Sequence, residues 1–132
     1  MTQFVLLSMY GGVDAPPMTE WDPRDARAHL DFLTALNREL ADNGELVEMR
    51  ALTGPDLAKR VSSDGVSAPV VTDGPFPEVK ELLAGWQLVD VESEQRAVEI
   101  AATVSAAPGP GGKPMRQRIE VRQVMFTRGQ DL

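Results

Sequence analysis

The sequence predicts an α+β domain in which two helices lie on one face of a four-stranded antiparallel sheet. Three observations predict it. Apolar residues recur at helical spacing in two stretches only, one after Asp22 and one after Ser93. Strand-like stretches surround those helices in the order β, α, β, β, α, β, with short extra pieces between. At 132 residues and 42% apolar, the chain is about the modal size of one domain, and residues 1–132 are expected to fold as one unit. Two such helices cover only one face of the sheet, which is the ferredoxin-like split βαβ arrangement. Several strands are apolar on both faces, so the uncovered face is expected to meet a second sheet in a homodimer.

The elements follow in order. Phe4 to Tyr10 is apolar on both alternating faces, as a central strand is, and Gly11-Gly12 ends it. Val13 to Glu20 is a Pro-containing loop that Trp21 docks on the core. Asp22 as N-cap and Pro23 at the first helical position start a helix running to about Asp42, with Ala26, Leu30, Leu33, Leu36 and Leu40 as its apolar stripe. Asn43-Gly44 supplies the left-handed stop. Glu45 to Leu52 is a partly alternating strand, Leu57 to Val61 a short piece, and Val66 to Thr72 a strand entering Asp73-Gly74-Pro75-Phe76. Glu78 to Leu83 suits one helical turn, and Gly85 to Val91 a strand interrupted by Gln87 and Asp90. Ser93 caps a helix with Ala97, Ile100, Ala101 and Val104 at i, i+3, i+4 and i+7. Pro108 to Pro114 is a stiff connector, and Arg118 to Phe126 alternates as a last strand.

Composition excludes several classes. Cysteine is absent, which rules out disulfides and, with a single histidine, a Cys/His zinc site. No ligand spacing argues for a metal, and no cofactor is expected. The net charge of −7 argues against non-specific binding to nucleic acid or anionic membrane. No segment approaches the ~20 apolar residues of a membrane span, and the N-terminal apolar run lacks the flanks of a signal peptide, so a cytoplasmic protein is expected. The charge is uneven: residues 108–132 carry five bases and two acids, a net +3, leaving −10 on residues 1–107. Opposite signs on one small domain fit self-association or a small anionic ligand, and equally a solvated salt-bridge surface. No P-loop, no Gly-x-Ser-x-Gly elbow and no cysteine nucleophile occurs, which disfavours a covalent hydrolase.

The run Val71-Thr72-Asp73-Gly74-Pro75-Phe76-Pro77-Glu78-Val79-Lys80-Glu81, then Gly85-Trp86 and Ile119-Glu120-Val121-Arg122, resembles the YCII-related family in its DGPF-domain branch. The resemblance spans nearly the whole chain. It implies a dimeric α+β barrel of ferredoxin-like subunits. For activity it implies little: small-molecule enzymes using a His–Asp pair, or proteins encoded near sigma-factor genes and linked to transcription control. Asp73 matches the aspartate of the motif; no motif residue selects His29 as its partner.

The catalytic candidates are Asp73 and His29. Asp73 is either an Asx turn, its carboxylate accepting backbone N–H bonds, or a general base beside a cavity. His29, four residues after Asp25, is either a helix-surface histidine paired with that acid or a proton-transfer group. The ligand-binding candidates are Lys80, Arg122, Glu120, Tyr10 and Trp86. Lys80 either lies in a solvated turn between Glu78 and Glu81 or neutralises an anion. Arg118, Glu120 and Arg122 share a strand face; facing a cavity, two arginines grip a carboxylate or phosphate, and facing water they are ordinary. Trp86 and Phe76 also suit the core, and the Tyr10 hydroxyl wants a partner if buried. The expectation is a dimeric small-molecule-binding protein carrying out proton transfer on a small organic acid. Asp73 is its base, Arg122 or Lys80 its anion clamp and His29 its acid. The alternative is a non-catalytic binding or regulatory module whose Asp-Gly-Pro-Phe loop clasps a partner.

Overall fold

Four strands and two helices build the body of the computed structural model, which describes residues 1–10, 16–76 and 81–127. Strand β1 (Thr2–Tyr10) turns Phe4 and Leu6 inward, where both are buried. Helix α1 (Pro23–Asp42) begins where the Asp22 carboxylate accepts a hydrogen bond from the Arg24 N–H at 2.9 Å, and it stops ahead of Gly44 at φ +81°. Strand β2 (Leu46–Ala51) follows at once. Strands β3 (Lys59–Ser62) and β4 (Val70–Asp73) then form a hairpin of their own. Strand β5 (Leu82–Val91) returns to the main sheet. Ser93 Oγ accepts from the Arg96 N–H at 3.1 Å to cap helix α2 (Glu94–Ser105), and β6 (Ile119–Gln123) closes the fold.

The main sheet runs β2-β5-β1-β6 with every neighbouring pair antiparallel, which is the ferredoxin-like order. Both helices lie on one face. Between them and the sheet sit Phe4, Leu6, Leu40, Val89, Val91, Ala97, Ile100, Ala101 and Val104, with Leu33, Leu36, Leu46, Ile119 and Val121 packed around. Each fully buried Leu, Ile or Val stabilises the fold by about 1.5–3 kcal/mol through burial alone. Among the described residues no helix is long and apolar enough to cross a membrane.

Several details differ from expectation. The strand placed at Val66–Thr72 covers only Val70–Asp73 and pairs with β3, not with the main sheet. Its first half bends instead, because the Asp64 carboxylate accepts from the N–H groups of Val66 (2.9 Å) and Ser67 (2.8 Å). The helical turn placed over Glu78–Leu83 falls partly outside the described residues, and Leu82 already opens β5, three residues earlier than expected. The last strand ends at Gln123, leaving Met125 exposed. On α1 the buried stripe passes through His29, not Leu30, which is half exposed.

Candidate functional site

Strand register assigns each side chain to a face, since the side-chain period is two. Phe4, Leu6, Val89 and Val91 point at the helices, so Val5, Leu7, Trp86 and Leu88 point away from them. Two rows of residues cross that uncovered face. One runs Glu120, Leu7, Trp86, Arg50 and the next Arg122, Val5, Leu88, Glu48. Each row is apolar on the central strands and charged at both edges, with the signs reversed between rows. An apolar centre with a polar rim is the anatomy of a binding surface.

Three of the residues singled out from sequence therefore meet on one face: Trp86, Glu120 and Arg122. Trp86, which also suited the core, lies here half-buried, and its Nε1–H donates to Glu48 Oε1 at 3.1 Å. Arg122 Nη1 stands 4.0 Å from Glu120 Oε2, and both side chains are largely exposed. Arg118 pairs with Glu81 at the start of β5. Sequence reasoning missed Glu48, Arg50 and Asp90. Glu48 and Arg50 carried the signal of alternation, two charges two residues apart in a strand. Asp90 follows Leu88 on the same face, opposite Gln3 in register, and its Oδ1 is buried with no hydrogen-bond partner. A buried acceptor left unpaired is costly, so such groups are few and mark special surroundings.

The two catalytic candidates lie elsewhere. His29 is 7% exposed, packed edge-on against the Trp21 ring at 5.5 Å between centroids, and its Nδ1 lies 3.0 Å from the Pro108 carbonyl. A carbonyl only accepts, so Nδ1 carries a proton. The expected Asp25 partner instead accepts from the Gly111 N–H at 3.0 Å. One turn of α1 thus grips the connector after α2 at two points, a structural use of both residues. Asp73 ends β4 with its side chain 74% exposed, and its Oδ1 meets Lys59 Nζ at 2.6 Å. Among the described residues the carboxylate meets the cross-strand lysine (Lys59 opposite Asp73), and Pro75, two residues on, has no N–H to donate to it. No hydrogen bond or ion pair joins His29 to Asp73. Phe76 is buried beneath the Arg60 guanidinium, 3.8 Å from the ring centroid. Tyr10 is 40% exposed at the end of β1. Lys80 lies outside the described residues, and among those described no group of three or more His, Asp or Glu could hold a metal ion.

Fold and face together define a small ferredoxin-like α+β domain with one side of its sheet left open by its own helices. The chain belongs to the YCII-related family: the YCII-related domain matches residues 14–108. It is also similar to an uncharacterized protein of Rhizobium meliloti (strain 1021), 29% identical over 104 residues, 78% of this chain and 83% of that protein. The family match takes in α1, β2, the hairpin, β5 and α2. His29, Asp73, Lys80 and Trp86 fall within it; Tyr10, Glu120 and Arg122, on β1 and β6, fall outside.

Proposed function

We propose that the protein binds a small organic anion on the uncovered sheet face, and that two copies bring those faces together around it as a homodimer. The observation that carries this reading is the convergence of Trp86, Glu120 and Arg122, with Arg50 and Glu48, around an apolar centre. The arginines suit a carboxylate, the indole supplies a flat apolar surface, and the alternating rim charges let the face meet a copy of itself. Proton transfer on a bound acid, of the isomerisation or elimination type, falls in this reading to the carboxylates of the face. Those are Glu120, Glu48 and the orphan Asp90 oxygen, in place of an Asp73–His29 pair. The lack of cysteine and the net negative charge suit a cytoplasmic setting without nucleic-acid or membrane partners.

Titration calorimetry with a panel of small mono- and dicarboxylates, on the natural protein and on Arg122→Gln, tests the reading. Saturable binding that weakens at least about tenfold in the variant is expected for a lost bidentate contact. Absence of binding across the panel, or binding indifferent to Arg122, would sink it. A second reading rests on the hairpin, where Val61, Val66, Val70 and Val71 are more than half exposed and Asp73 is spent on Lys59. On that reading the hairpin clasps another protein and no reaction occurs. Association lost in a Val61→Lys, Val71→Lys double variant, with no carboxylate bound by the natural protein, would favour it.

A further inference from the structure

We propose that β6 is a second assembly edge, at which two copies join their sheets by pairing β6 with the β6 of another copy, antiparallel and centred on Val121. The ladder fixes which groups are available. The Met9 N–H donates to the Arg118 carbonyl at 3.2 Å and the Val124 N–H to the Gln3 carbonyl at 2.9 Å. Those bonds flank the pairs Ser8–Ile119 and Phe4–Gln123, making both of them non-hydrogen-bonded pairs, and alternation makes Leu6–Val121 a third. The backbone N–H and C=O groups of Ile119, Val121 and Gln123 therefore point away from β1. Among the described residues they have no partner.

A second β6 satisfies all of them in one register. Val121 exchanges hydrogen bonds with the partner's Val121, and Ile119 with the partner's Gln123. Glu120 then stands opposite the partner's Arg122 in a non-hydrogen-bonded pair, where side chains approach most closely. The neighbouring registers place Arg122 opposite itself or Glu120 opposite itself, so charge selects the Val121-centred one. The other edge of the sheet is unsuited, because a bulge interrupts β2 between Leu46 and Glu48, whereas the β1–β6 register is regular throughout. On the helix side the new seam runs along an open groove of about 700 Å³ lined by Val98, Ala102 and Ser105 of α2 with Ile119 and Val121. Val98 is half exposed there, and the small residues beside it let a second α2 approach. The family match ends at residue 108, so the inference stands on this chain's own last strand. It goes beyond the face-to-face pairing above, and the two contacts together assemble four copies.

Native mass spectrometry of Glu120→Arg, Arg122→Glu and their mixture tests it. Each variant alone puts like charges across the seam and is expected at half the natural stoichiometry. Mixed, the two are complementary across the seam and are expected to recover full stoichiometry as one-to-one pairs, which no repair within a single strand can mimic. Gln123→Pro removes an outward N–H and leaves the charges alone; it too is expected at half. Leu88→Glu charges the uncovered face and leaves the edge pairing in place, so loss of that contact is read separately. Hydrogen exchange on the natural protein needs no variant: the amides of Ile119, Val121 and Gln123 are expected to exchange at least about tenfold more slowly at high concentration than on dilution. Full stoichiometry in the single variants, a mixture that stays at half, or fast exchange of those amides at every concentration overturns the proposal.

Discussion

Arg96 shows what a single side chain does here. Its Nε donates to Glu45 Oε2 at 2.9 Å and its Nη2 to Glu45 Oε1 at 2.8 Å, which ties α2 to the entry of β2, and Nη1 reaches Glu99 at 3.4 Å. The Glu45 side chain is only 14% exposed, so this pair is screened far less than the others on the surface. The guanidinium holds the Glu45 carboxyl below its ordinary value of 4.5. A carboxyl depressed on folding contributes stability above its unfolded pKa and loses that contribution as pH falls through the folded one. Arg96→Met is therefore expected to cost about 2 kcal/mol near neutral pH, and the acid limb of its stability profile should be flatter below pH 4.5. Urea unfolding at neutral and acid pH measures both; equal losses at the two pH values would refute the linkage. At this scale the sequence was only partly readable. Leu30 fits the apolar stripe of α1 as well as His29 does, and local spacing cannot choose between them. The choice is made by Pro108, 79 residues away, whose carbonyl gives the imidazole a buried partner.

Elements were readable where their causes are local. Asp22, Pro23, Gly44 and Ser93 mark helix ends through bonds that span two or three residues, and the observed boundaries follow them. The hairpin was not, because nothing in Lys59-Arg60-Val61-Ser62 says which strand it joins. Its seat is set by close packing: a Cβ on Gly74 would lie 1.9 Å from the Pro55 carbonyl oxygen, while the Gly74 N–H donates to Ala58 at 2.8 Å. Gly74→Ala must push the Gly54–Ala58 turn away, and about 1–3 kcal/mol of destabilisation is expected from overpacking. The effect belongs to this hairpin, so exchange protection should fall across β3 and β4 and persist in β1 and β5. Uniform loss across the molecule would contradict that placement.

For the whole molecule, the order of strands and the sidedness of the sheet were legible because two helices can cover only one face. What the chain does not announce is that β3 and β4 leave the main sheet, since pairing is decided by tertiary register and not by propensity. The uncovered face makes the prediction at this scale. Leu88 sits in its apolar centre, so Leu88→Glu should abolish face-to-face association in sedimentation equilibrium. Added salt should weaken the natural assembly only modestly, because just the rim is screened. A monomeric natural protein, or a variant that still pairs face to face, would be the contrary outcome. The sheet has a further consequence for how the protein is made. β1 is synthesised before both of its partners yet lies between β5 and β6, pairing with residues 82–91 and 119–123. A nascent chain therefore carries an apolar strand with both edges unpaired until residues 82–91 have left the ribosome, and the sheet is completed only after residues 119–123 have followed.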